Sequence, residues 1–251
     1  MANLLAEGFR RLFKGKRFYI CLIVYCAIAL LEIVIYYIGN NMFGGSDDFL
    51  HVDSLLLEGL TLCCLFSAIT AGMLISRDYT NNTIRNKIII GHSRTNIYLA
   101  NLIVTSAVFM IYNAAYLLVV IGVGMPLIGG GEFPSSDLTK NMLAAMVVLL
   151  AFSSLVTFIT MTIKTIGGAI LAIALNYIGS FIGLAVEILS VKYKKFCDFI
   201  MDVLPSMQLN TLQMSVYTSV KHLGSMMLYD VIIIVGTTIL GIIIFNKTDV
   251  K

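Results

Sequence analysis

Six stretches of this sequence run for about 20 residues each with at most one charged side chain, and nothing constrains the fold more. They are residues 18–38, 54–75, 98–123, 141–163, 165–189 and 228–245. A bilayer core about 30 Å thick needs about 20 apolar residues of helix to cross it. The last run is the shortest, yet "VIIIVGTTILGIIIF" within it carries no charge. The ten-residue alternation of a membrane β-barrel is absent. Composition agrees: of 251 residues 59% are hydrophobic and 12% charged, where a soluble domain is roughly one-quarter charged. The expected fold is therefore all-α and polytopic, with six transmembrane helices in a single domain over 1–251.

Charge placement sets the expected orientation. Arg10, Arg11, Lys14, Lys16 and Arg17 precede the first span. Arg77, Arg85, Lys87 and Arg94 lie between the second and third, Lys164 between the fourth and fifth, and Lys247 and Lys251 at the end. These are 12 of the 17 basic residues, which places both termini inside. No small-x-small cleavage site follows the first span, so it is expected to remain in the chain. The five Cys fall mainly inside apolar runs and read as reduced packing residues.

"NLLAEGFRRLFKGKRF" gathers Leu4, Leu5, Phe9, Leu12 and Phe13 near one helical face, with basic residues elsewhere. It suits a helix lying in the membrane interface or an extension of the first span. Residues 39–53 and 124–139 carry Asp, Gly and Pro and read as outer loops.

The most polar internal stretch is "RDYTNNTIRNKIIIGHSR", residues 77–94. Asn81 or Asn82 is placed to cap a helix of body 83–90, and Gly91 is a natural stop after it. At about 1.5 Å per residue that helix is too short to span. A plain connector would satisfy topology with two basic residues. A helix inside an eighteen-residue link points instead to a docking element.

"RDYTNNTIRNKIIIGHSRTNIYLAN" resembles the first cytoplasmic loop of ABC-2-type transporter permeases, which follow an E-[YF]-x-x-[GK]-T-[IL]-[RK]-x-x-[IL]-x-x-[GP]-x-[ST]-R pattern. Thr83, Ile84, Arg85, Gly91, Ser93 and Arg94 fit it; Asp78 replaces the usual Glu, and Asn82 stands where Gly is frequent. The closing "FNKTDVK" is similar to C-termini of that family, and the chain length resembles the stand-alone permeases of antimicrobial-peptide immunity and bacitracin-type exporters. The resemblance implies that the short helix is a coupling helix seated in a groove of a separate ATPase. Asp78, Thr83, Ile84, Arg85, Lys87, Ile88, Gly91 and Arg94 are then the docking residues, with Arg85 and Lys87 meeting polar groups of the partner and Ile84, Ile88 and Ile89 supplying apolar contact. It implies two ATPase subunits that bind ATP and magnesium, and a second permease chain, identical or different, with no cofactor held here.

Residues 190–226 hold Lys192, Lys194, Lys195 and Lys221 against the charge rule, and "FCDFIMDVLPSMQL" is amphipathic and broken at Pro205. In the family this link resembles a pair of re-entrant helices on the outer side, a form tolerated where protein covers the backbone. The alternative is an exposed loop. Glu32 lies midway through the first span and is a candidate for the substrate path; Glu58, Glu187 and Asp230 sit nearer span ends and read as interfacial. Gly179 and Gly183 form a GxxxG pair suited to close helix packing, within the subunit or between subunits.

No His, Cys or acid cluster has catalytic or metal-ligand spacing, and G-x-x-x-x-G-K-[ST] is absent, so the chain is not read as an enzyme. The leading reading is the transmembrane subunit of an ATP-driven exporter in a bacterial plasma membrane, for an amphipathic peptide, antibiotic or lipid-like cargo. Its contacts would be ATPase subunits and membrane lipid, with no nucleic acid. The competing reading is an ion-coupled secondary transporter, which calls for matched repeats and charged residues at midplane; Glu32 alone speaks for it.

Overall fold

A computed structural model describes residues 1–43, 52–129, 136–189, 193–215, 220 and 222–248. Among these every regular element is helical: α1 (Ala2–Lys14), α2 (Lys16–Phe43), α3 (Val52–Glu58), α4 (Leu60–Thr80), α5 (Thr83–Ile89), α6 (Arg94–Val119), α7 (Met125–Ile128), α8 (Ser136–Ile163), α9 (Gly167–Leu189), α10 (Lys194–Val203), α11 (Pro205–Met214) and α12 (Leu223–Lys247). Five helical stretches are long and apolar enough to cross a membrane: 16–42, 52–80, 94–128, 136–163 and 223–247. The remaining expected run is α9, 23 residues long and largely apolar along its length, with Glu187 its one charged residue. The chain is an all-α polytopic membrane protein.

The helices outrun the apolar windows that announce them. The run expected at 98–123 begins at Arg94, and that expected at 141–163 begins at Ser136. Hydropathy marks the part in hydrocarbon, whereas backbone hydrogen bonding continues into polar ends. Two spans are also interrupted. The second breaks at Gly59, whose carbonyl accepts the Tyr25 hydroxyl at 3.0 Å. The third passes through a π-helical turn at Val120–Gly124, just before Pro126, which has no N–H to continue the ladder.

α8 is the hub, touching α4, α6, α9, α11 and α12. Its small buried residues Ala144, Ala145, Ala151, Ser153 and Ser154 let neighbours close in. The core between α2, α4 and α6 is aromatic. Tyr25 stacks on Tyr112 at 5.8 Å and on Tyr116 at 5.5 Å, and all three are buried. Their hydroxyls are satisfied inside: Tyr112 bonds the Phe18 carbonyl and Thr70, and Tyr116 bonds Glu32. By contrast α2 leaves Ile20, Ile23, Leu31 and Ile35 more than half exposed, the face expected of a span against lipid.

Leu204–Pro205 breaks the segment after α9 into α10 and α11. α11 is inserted against α3, α8 and α9, burying Ser206, Met207, Gln208, Leu209 and Leu212. A helical hairpin therefore stands where an exposed loop was the alternative. The loop residues Asp47 and Asp48, together with Lys192 and Lys221 and the side chains of Glu187, Lys194 and Lys195, lie outside the described residues.

Candidate functional site

The polar stretch 77–94 folds as a compact bracket. α4 ends at Thr80, Asn82 turns the chain in the left-handed region at φ 54°, and α5 follows. Its exit is a Schellman closure: the Gly91 N–H bonds the Ile88 carbonyl at 3.0 Å and the His92 N–H bonds the Lys87 carbonyl at 3.1 Å. This needs Gly91 at φ +97°, which glycine adopts without steric cost. Ser93 then caps α6, its hydroxyl accepting the Asn96 N–H at 3.3 Å. α5 is seven residues long, about 10 Å.

One face of α5 is turned into the protein. Ile84 is fully buried among Leu4, Ile75, Ile97 and Tyr98. Lys87 is 6% exposed and reaches Asp78 Oδ2 at 3.7 Å and Glu7 Oε2 at 3.6 Å. Arg11 pairs with Asp78, and with Glu7 at 3.4 Å. Two cations and two carboxylates thus tie α1, the end of α4 and α5 together. Burial pulls the Lys87 ammonium below its ordinary range, and Arg11 pulls it down further while Glu7 partly restores it. Burial likewise lowers Arg11, against the pull of Glu7.

Of the residues expected to meet a partner, Asp78, Ile84 and Lys87 make these contacts within the chain. Thr83 and Ile88 are half-buried. What faces outward is Arg85, Asn86, Ile89, Ile90 and Gly91, with Ile89 71% and Ile90 76% exposed. Ile90 and Asn86 were not singled out in the sequence. Asn86 lies two positions beyond Ile84 and so turns away from it, but the inward turn of Ile84 and Lys87 on which this depends is not marked in the local sequence.

Arg94 is also occupied. Its Nη1 reaches the carbonyls of Phe245 and Asn246 at 3.1 Å and of Thr248 at 2.7 Å. It closes the C-terminus of α12, where a cation meets the negative end of the helix dipole. The pairing brings together the start of the third span and the end of the chain. Tyr79 donates to the Met161 carbonyl at 3.0 Å, so the end of α8 joins the same assembly.

The remaining candidates lie elsewhere. Glu32 is half-buried and accepts the Tyr116 hydroxyl at 2.9 Å; a turn along, Tyr36 donates to Glu58 at 2.7 Å. Gly179 and Gly183 face the hairpin: a side chain at Gly179 would collide with Ser206, and one at Gly183 would press on Met207. Their close approach is thus within the subunit. Asp230, expected at the interface, is fully buried beside Gln208 of α11, with α8 and α10 packed against α12. Among the described residues no group of His, Cys, Asp and Glu is arranged to hold a metal ion.

Comparison with known protein families matches residues 9–183 to the ABC-2 family transporter protein. Among curated proteins none matches the chain. The matched region contains α5, its anchoring network except Glu7, the first four expected spans and most of the fifth. Taken with the apolar helices and the bracket at 77–94, the match means that this chain belongs to the ABC-2 family of transporter proteins, as a multi-pass membrane component that works with ABC ATPase subunits.

Proposed function

We propose that the chain is the transmembrane subunit of an exporter driven by a docked ATPase pair, with α5 as the docking element. The observation that carries this is the pair Ile89 and Ile90, exposed at 71% and 76% on a helix whose other face is locked into the protein. Covering an exposed isoleucine stabilises a complex by about 1.5–3 kcal/mol, and Arg85 and Asn86 beside them add polar contacts that fix orientation. Because α5 is tied to α1 and α4 by charge and to α6 by packing, a push on it reaches three elements at once.

In this reading two ATPase subunits bind ATP and magnesium, and two permease chains, identical or different, frame the path. The cargo is amphipathic, a peptide, antibiotic or lipid-like molecule, and moves outward. The distribution of basic residues supports both termini in the cytoplasm, and the family resemblance supports a bacterial plasma membrane. A single domain over 1–251 suffices for this role.

The test is co-purification in detergent with the ABC ATPase encoded beside the gene, comparing the native chain with Arg85→Glu combined with Ile89→Asp. Both sites are exposed, so the double variant should keep its gel-filtration profile and lose the ATPase. Equal recovery with both chains would overturn α5 as the docking element.

A further inference from the structure

Where α1 turns into α2 at Gly15, the chain forms an open cleft of about 340 Å³ lined by Arg11, Lys14, Lys16, Arg17 and Arg77, with Phe18 and Leu74 among its apolar walls. A second cavity of about 360 Å³ shares Arg11, Lys14 and Arg77 and adds Arg10 and Asp78. A water occupies about 30 Å³ in the liquid, so either space holds far more than one ordered water. The geometry points to a binding site for the phosphate headgroup of an anionic phospholipid, drawn from the leaflet at the end of the bundle that carries α1 and α5.

Charge is the first argument. Among the described residues, Arg10, Lys14, Lys16, Arg17 and Arg77 have no carboxylate within ion-pair distance. Asp78, the acid on the cavity wall, is spent on Arg11 and Lys87. Several like charges converging on one space repel each other, and an anion relieves that repulsion.

Depth is the second. The cavity lies at the α1–α2 elbow. α1 buries Leu4, Gly8 and Leu12 against the bundle and leaves Arg10 and Lys14 exposed. The exposed apolar face of α2 starts within a turn of Arg17, at Tyr19, Ile20 and Ile23. Cations followed directly by an apolar track match a ligand with an anionic head and acyl chains. A free phosphate makes no use of the track, and an acidic protein surface would need the elbow to stand clear of the bilayer. Basic pockets beside spans at a membrane face are suited to such headgroups.

The inference does not depend on ATPase docking, because it concerns a different surface, and its test reads lipid. The full-length chain in detergent is titrated with dioleoyl-phosphatidylglycerol or dioleoyl-phosphatidylcholine, and retained lipid is counted by native mass spectrometry. Preference for phosphatidylglycerol is expected. The triple variant Lys14→Gln, Arg17→Gln, Arg77→Gln should weaken it on the order of 100-fold, at about fivefold per cation. Lys140→Gln with Lys164→Gln and Lys247→Gln, removing equal charge elsewhere, should leave it unchanged. If the pocket triple aggregates, Lys14→Gln and Arg77→Gln singly should each lose about fivefold, and Arg77→Lys should lose less than Arg77→Gln. Equal loss in both triples would reduce the effect to general surface charge and overturn the site. Displacement of phosphatidylglycerol by an equal concentration of glycerol 3-phosphate would assign the pocket to a soluble phosphate instead. Absence of lipid preference, with ATPase recovery lost in the pocket triple, would assign it to a protein partner.

Discussion

Lys87 Nζ lies 3.7 Å from Asp78 Oδ2, with both side chains under 10% exposed. This ties α5 to the end of the span that precedes it. A helix of two turns has little stability of its own in water, so α5 depends on this tie and on buried Ile84. Removing one partner strands charge. Asp78→Leu leaves Arg11 and Lys87 with Glu7, itself 41% exposed, as their remaining acid. Stability in detergent should fall by on the order of 3 kcal/mol. Adding Lys87→Met should recover part of the loss, because the two residues act on each other. A double-mutant cycle on thermal unfolding checks this; strictly additive losses would mean the pair is not coupled.

The same pair predicts how stability responds to pH. Burial and Arg11 make the folded chain hold the Lys87 proton less tightly than the unfolded chain does. The folded pKa is thus below the ordinary 10.5. Between those two values the unfolded chain binds more protons, so stability rises with pH. Measured against Lys87→Met, the native chain should gain melting temperature as pH climbs toward 10.5 and level off above it. A flat difference across that window would show Lys87 to be solvated.

What was legible in the sequence divides along physical lines. The spans are local: an apolar run of sufficient length must cross lipid whatever the rest of the chain does. The bracket was local in part: Gly91 marks its stop by its own backbone preference, whereas Asn82, expected as a side-chain cap, leads into α5 in the left-handed region with no cap bond. Which face of α5 turns inward was not local. Lys87 reads as a free cation until α1 brings Glu7 and Arg11 beside it, more than 70 positions upstream. Arg94 likewise reads as a docking charge until the last helix returns to lay its carbonyls against it. Asp230 looked interfacial because nothing in its own neighbourhood announces that α8 and α10 pack on its helix and that Gln208 comes beside it.

Arg94 gives the third prediction. It closes carbonyls of residues 245, 246 and 248 from 151 or more positions away. Arg94→Gln retains a donor but not the charge that favours a helix C-terminus. The cost should be about 1 kcal/mol and confined to the end of α12. Hydrogen exchange should show faster amide exchange over 244–248, with protection at α6 unchanged. Acceleration spread evenly through the bundle would place Arg94 in global packing instead.

Gly179 and Gly183 stand one turn apart on α9, facing Ser206 and Met207 of α11. The hairpin can lie this close only because these positions lack side chains. Gly179→Leu must push α11 outward, since its Cβ alone would overlap Ser206. α11 also buries Gln208 and Leu212 and touches α3, so the displacement should propagate to α3, the first part of the second span. The expected loss is about 1–3 kcal/mol, with faster hydrogen exchange in 205–214 and 52–58. Gly183→Ala should cost less, because Met207 is flexible and its contact there is ordinary to tight. The competing location for this pair is an interface between two permease chains. In that case Gly179→Leu would dissociate the assembly while leaving exchange in 205–214 unchanged, and cross-linking of the purified transporter separates the two outcomes.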